Sequence, residues 1–405
     1  MVKWIILAIV PLVLASDASA KSRDARTCAL VEPGFVTIDG RLDEWAQVRW
    51  AAVGGGPDAS FKLRCAYDRR KLYIALDVKD DRLIRTRQAQ VKAEDHVEIV
   101  LKGVGKPVKV RILPGSRTAK RKVISRRQRW LKVDDSLQPT GFSVEVELPR
   151  TKIPGVGPTT PLVFADIAFH DTDKATAYQI ERVRRFKGVL YTEEGARTHR
   201  AFLRSLKLST RDYRLDQLAD VDTAPGAERV VAAGRYLAVL SDTFSFMQLP
   251  VRAAKDVLEV RPVDFDGGGR SFIMTRYRQH GAGGSREVLT VWEVKANGFK
   301  PVVAAEIAKK IGAASLRSRW TLVARGKLRK LRPGERPRGF DLLLEAEEPK
   351  GVDASSWRET PASDVHPILL PWSKDTVSLY VFEGNVGQLM EPDARMLDRW
   401  RKRPR

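Results

Sequence analysis

Metal or acid–base chemistry would fall first to the five histidines, His96, His170, His199, His280 and His366, and their spacing supports neither. The chain holds no HExxH pair, no GxSxG turn and no glycine-rich phosphate loop. Gly103-Val104-Gly105 is too short for a dinucleotide turn. Asp166 and His170 share a strand face yet stand too far apart for a direct dyad. A glycosidase needs two carboxylates across a cleft, and a single sequence pairs no two of its many acids. Asp264-Phe265-Asp266-Gly267-Gly268-Gly269 is similar to a calcium loop, but its fifth position is Gly268 and no Glu stands at the twelfth. It reads as a glycine-rich hairpin turn, with weak structural calcium the minor alternative. Trp130 is the residue best suited to stack on a sugar. It closes a stretch from Ser116 to Lys132 that is crowded with Lys and Arg, has no acid until Asp134, and is expected as an exposed hairpin or loop. Arg126, Arg127 and Arg129 beside the indole could hold a carboxylate or sulfate. The plainer alternative is a strand-end Trp that packs.

Strands must position these groups. Phe61, Leu63, Cys65 and Tyr67 alternate with polar neighbours, as do Leu72, Ile74, Leu76 and Val78; Asp68-Arg69-Arg70-Lys71 between them predicts a hairpin. Val97, Ile99 and Leu101, then Val108, Val110 and Ile112, continue the period of two, followed by Phe142, Val144, Val146 and Leu148, and by Val163, Ala165, Ile167 and Phe169. Leu203, Leu206 and Leu208 suggest a last strand returning to the same body. Leu42 and Trp45, three apart after the Ile38-Asp39-Gly40 turn, predict one helical turn seated on a sheet. A polar stretch over Thr210–Ala227 marks a boundary. The second half is again strand-rich, with a short helix expected over Val302–Ile311, and favours a second sandwich or a fragment of propeller-like sheet. The resulting division is 1–20 export signal, 21–209 sandwich, 210–390 a β-rich domain of unassigned role, and 391–405 a basic tail whose last residues, Arg399–Arg405, are expected to be mobile.

The order IDG-x-LDEW (Ile38–Trp45), D-x-VEI (Asp95–Ile99), G-x-x-VEV-x-LP (Gly141–Pro149) and a strand ending His170-Asp171-Thr172-Asp173 resembles a family 9 carbohydrate-binding module over about residues 34–208. The resemblance implies an all-β, jelly-roll-like antiparallel sandwich and sugar binding without catalysis. Family members clamp a sugar between two Trp; those positions here are Lys92 and a point within 194–200, where no Trp occurs. Glu98 matches the family's Glu that meets sugar hydroxyls, and Lys109 or Arg111 falls near its sugar-binding Arg. Asp95 and Asp171 match acidic motif positions that hold turns or a structural cation. Without the resemblance, Glu98 reads as an acid on the wet side of a half-buried strand.

Lys3, the apolar run Trp4–Val13 and Ala18-Ser19-Ala20 read as a secretory signal cleaved before Lys21. The two cysteines, Cys28 and Cys65, are then expected as a disulfide, the plainer alternative being two free, buried thiols. The formal net charge of +22 suggests retention at an acidic polymer such as an anionic polysaccharide, or else an arginine-rich but evenly spread surface. Together these features predict a secreted or periplasmic, non-transmembrane, non-catalytic glycan-binding protein that uses Glu98, Lys109, Arg111 and Trp130. The alternatives are an envelope scaffold that has lost sugar binding and an accessory part of a glycoside hydrolase system.

Overall fold

The computed structural model describes residues 24–86, 91–125, 129–173, 180–223, 226–281, 283–296, 298–358, 364–383 and 386–402. The expected export signal and its expected cleavage point before Lys21 lie outside the described residues, as do Arg126 and Arg127.

The architecture is all-β. The first half contains β1 (Asp24–Thr27), β2 (Ala29–Leu30), β3 (Ala51–Val53), β4 (Ser60–Tyr67), β5 (Lys71–Lys79), β6 (His96–Lys102), β7 (Val108–Leu113), β8 (Lys122–Ser125), β9 (Lys132–Gln138), β10 (Gly141–Pro149), β11 (Leu162–Asp171) and β12 (Arg182–Tyr191). They form two facing sheets. Sheet A has the order β1-β12-β11-β6-β7-β8, and sheet B the order β2-β4-β5-β10-β9 with β3 alongside β4. The alternating apolar rows meet between the sheets: Phe61, Leu63, Ile74, Leu76, Phe142, Val144 and Val146 from sheet B against Val97, Ile99, Ile112, Ile167 and Phe169 from sheet A. Each such side chain contributes about 1.5–3 kcal/mol on burial. The hairpin expected at Asp68 forms, and Asp68 Oδ1 accepts the N–H groups of Arg70 and Lys71, each at 2.6 Å.

The middle of sheet B's outer face is covered. The segment around Ile38–Trp45 lies over it, and Trp45 is fully buried with Val36, Val48, Ala66, Tyr73 and Ala75. The expected single helical turn is a 3₁₀ turn over Glu44–Gln47. Glu145, an outward residue of β10, accepts Trp45 Nε1–H at 2.6 Å, Gly40 N–H at 2.7 Å and Asp39 N–H at 3.1 Å. The IDG-x-LDEW and VEV motifs are therefore two halves of one contact.

Disulfide Cys28–Cys65 closes one end of the sandwich. Cys28 lies between β1, which pairs with sheet A, and β2, which pairs with sheet B, so the bridge fixes the point where the chain crosses sheets. At this same end the chain leaves the sandwich through α1 (Glu193–Ser205). Leu203, Leu206 and Leu208 were expected on a returning strand. Leu203 instead lies in α1, and all three pack with Phe202, Tyr213 and Val231. Thr192 caps the helix by accepting Gly195 N–H, and Glu193 and Glu194 sit at its positive end, which decides helix over strand.

The second half contains β13 (Tyr213–Ala219), β14 (Glu228–Ala233), β15 (Tyr236–Leu240), β16 (Phe244–Gln248), β17 (Val257–Val263), β18 (Phe272–Gly281), β19 (Gly284–Lys295), β20 (Gly298–Ile311), β21 (Ala314–Ala324), β22 (Phe340–Ala346), β23 (Val377–Glu383) and β24 (Val386–Met390). Each pairs with the next in two meanders, β13 to β16 and β17 to β24. One face of β18 and β19 (Ile273, Tyr277, Val288, Trp292) packs on Val230 and Leu237. The other (Phe272, Met274, Leu289, Val291) packs on Leu342, Leu344, Tyr380 and Phe382. The long sheet thus folds over itself into a stack of three layers rather than propeller blades. Val302–Ile311, expected as a short helix, belongs to β20, held by pairing to β19 and β21. Within the expected basic tail, Ala394–Arg401 is helix α2, so Arg399–Arg401, expected to be mobile, are helical; Asp393 caps the helix, Leu397 is buried against Val323 and Leu343, and Arg401 meets Glu345 at 3.0 Å.

Candidate functional site

Sheet A turns one face inward, and its other face carries the charged positions of the motifs. Register places Arg185, Ala168, Glu98 and Arg111 in one cross-strand row, and Lys187, Asp166, Val100 and Lys109 in the next. Lys102 lies opposite Phe164 in a third row. Glu98 Oε2 accepts from Arg111 Nε at 2.6 Å and Lys109 Nζ at 2.8 Å. Burial works to raise the Glu98 carboxyl, but the two cations outweigh it and hold it below the usual carboxylate range. Asp166 pairs with Arg185 at 3.2 Å. Five cations, Lys102, Lys109, Arg111, Arg185 and Lys187, thus surround two acids that are both already neutralised. Chemically, such a face offers cationic donors and, in Glu98, an ionised hydrogen-bond acceptor.

One row further, His96 and His170 lie opposite each other with stacked rings, centroids 4.3 Å apart. Burial lowers both, His96 to about 4, so the pair is neutral at neutral pH. His96 Nδ1 lies 2.9 Å from the Glu94 carbonyl. Asp95, fully buried, does not face a ligand: its carboxylate accepts the N–H groups of Ile84 and Thr172 and ties the entries of two loops.

At the end of the sandwich away from the disulfide, three carboxylates converge: Asp58 before β4, Asp80 after β5 and Asp171 closing β11, with one oxygen from each within 4.8 Å of the others. Asp171 is fully buried, and neither of its oxygens has a hydrogen-bond partner among the described residues; Asp58 Oδ1 and Asp80 Oδ2 lack one as well. Burial, and then the neighbouring acids, push Asp171 up to about 7 and Asp80 to about 6. Arg182 ion-pairs with Asp58 and with Asp173 and lies 4.0 Å from Asp171, which leaves the cluster net negative. An all-oxygen set of this kind suits a hard cation.

Of the residues singled out in the sequence, Glu98, Lys109 and Arg111 come together. Trp130 does not join them: it is half-buried against the sandwich core. The two clamp positions are exposed Lys92 and helix α1. In the Asp264 loop, Asp264 accepts from Gly267 N and Gly269 N, and Asp266 from Gly268 N, so the turn itself uses the carboxylates. Arg185 and Lys187 escaped the sequence reading, although their period of two in RVRRFK is a strand signal. Asp58 and Asp80 escaped it because neither lies near Asp171 in the chain.

No protein-family model and no curated protein matches the chain. Among solved structures it is similar to a family 9 carbohydrate-binding module from Caldicellulosiruptor kristjanssonii in complex with glucose, at 15% identity and a TM-score of 0.34 over 42% of this chain and 96% of that one. The complex with cellotriose gives 14% identity, a TM-score of 0.34, and 42% and 93% coverage. These structures belong to the family that the motifs resemble, and the likeness is too weak to carry a ligand across.

Proposed function

We propose that this chain is an exported, non-catalytic glycan-binding protein whose outer sheet A face takes an anionic polysaccharide. The observation that carries this reading is the cluster in which Glu98 is held ionised between Lys109 and Arg111, amid further cations on a strand face. A carboxyl held low is a hydrogen-bond acceptor and is unsuited to the general-acid half of glycoside cleavage. The Cys28–Cys65 bridge fits an oxidising compartment, the periplasm or the exterior. The test is retention on insoluble polysaccharides. Wild type should bind acidic glycans more than neutral ones, and Arg111→Gln with Lys109→Gln should release it. Absence of retention on every glycan would refute the reading. That result would favour an envelope scaffold, the alternative suggested by Lys92 and α1 at the clamp positions.

The same reading includes a structural divalent cation, such as calcium, at Asp58, Asp80 and Asp171. Calcium should raise the melting temperature and a chelator lower it. Asp171→Asn should raise the chelated protein's stability by relieving repulsion while abolishing the calcium response. Melting that is insensitive to calcium and to chelator would remove the cation.

A further inference from the structure

The second half carries a cleft that none of the motifs predicted. It lies between the end of β16 with the loop that follows it (Gln248 to Arg252), the β18–β19 hairpin end and the last residues of β20, and has a volume of about 580 Å³. That size is typical of sites for organic ligands, about 300–1,000 Å³, and far exceeds what a bare ion fills. Its lining includes Arg252, His280, Arg286, Lys309 and Lys310, and no acid among the described residues.

The nearby acids are already engaged. Glu306 lies 3.0 Å from Arg286 and 3.7 Å from Lys309, Asp364 lies 3.4 Å from Arg286, and Asp256 lies 2.9 Å from His280. Gln279 holds the wall in place: its Oε1 accepts Arg286 Nε–H at 2.6 Å and its Nε2 donates to the Pro250 carbonyl at 3.0 Å. The exposed side chains of Arg252 and Lys310 have no ion-pair or hydrogen-bond partner among the described residues. Pro250, Val251 and Ile311 add apolar surface, and Ile311 is 47% exposed. A prepositioned wall, two unpaired cations and an apolar floor ask for one kind of ligand.

We propose that this cleft binds an organic polyanion about two to three sugar units long, carrying carboxylate, sulfate or phosphate groups, with Arg252 and Lys310 as its principal charge contacts. This site is separate from the sheet A face and stands whether or not that face binds glycan.

The test is titration calorimetry on the mature chain at low salt with three probes: a sulfated disaccharide, a galacturonate trimer and tripolyphosphate. At least one should bind saturably and weaken as salt rises; which one binds identifies the acidic group. Arg252→Gln and Lys310→Gln should each lower affinity about tenfold, the worth of a charge-assisted contact. Arg252→Lys should retain most of the affinity, and Lys109→Gln with Arg111→Gln should leave it unchanged. Near-ultraviolet circular dichroism verifies that each variant is folded. No saturable binding of any probe, or binding indifferent to both cleft substitutions, overturns the proposal.

Discussion

Replacing Asp216 with alanine should cost about 3–5 kcal/mol of stability, the usual penalty for stranding a buried charge. Arg229 on β14 is 2% exposed, and its Nε and Nη2 meet Asp216 Oδ1 and Oδ2 at 2.8 and 3.0 Å. Its Nη1 donates to the hydroxyl of Tyr191, the last residue of β12. His199 on α1 bridges Tyr191 and Tyr213 through its two ring nitrogens. The guanidinium also lies 5.1 and 5.6 Å from the ring centres of Tyr191 and Tyr213. One buried network therefore joins the sandwich, the helix and the second half. Without the Asp216 carboxylate, the guanidinium keeps its desolvation cost and loses its counter-charge. The double replacement Asp216→Leu with Arg229→Met removes both charges and should recover most of the loss. The assay is urea unfolding followed by tryptophan fluorescence and near-ultraviolet circular dichroism. The single variant should shift the midpoint strongly and resolve two transitions, one for each half; the double variant should restore one. If Asp216→Ala melts within about 0.5 kcal/mol of wild type, the usual scatter for surface substitutions, the network does not weld the halves.

Gly40→Ala should destabilise by about 2 kcal/mol or more, because φ is +83° and a Cβ there would sit 2.5 Å from the Asp135 carbonyl carbon; thermal melting measures this. Replacing Cys28 and Cys65 with serine should cost roughly 3–4 kcal/mol, for a bridge that spans 37 residues, read from denaturant midpoints under non-reducing conditions. His199 should leave an acid limb in the stability profile. Burial, and then Arg229, lower it to about 3, among Tyr191, Tyr213, Asp216 and Arg200. The folded state therefore binds fewer protons than an unfolded chain titrating near 6.5, so this contribution is present above about pH 6.5 and drains away toward pH 3. His199→Gln should flatten that limb, seen by repeating denaturation at pH 7 and pH 4.5; an unchanged slope would show that His199 is not the group responsible.

Strand identity was legible residue by residue, because alternation at a period of two directly records which side meets a core. Phe142, Val144, Val146 and Leu148 were assigned inward and are buried. Alternation does not say what covers the other side: Glu145 lies on that side of β10, and the Trp45 segment covers it. The pairing of Cys28 with Cys65 needed no geometry, since two cysteines allow one intramolecular bridge. Leu203 to Leu208 misled because leucines two apart also occur where a capped helix ends, and Val302–Ile311 misled because alanine and lysine favour helix until partners on both sides claim the backbone. By itself, then, the sequence determined the all-β class, the inward rows and the strand placement of Glu98, Lys109 and Arg111. Only the tertiary structure decided that Arg185 and Lys187 join them, that Asp58, Asp80 and Asp171 meet, and that Arg252 and Lys310 line one cleft. The reason is physical: periodicity is written in neighbouring residues, whereas a site is made by strands whose separation in the chain carries no trace of their separation in space.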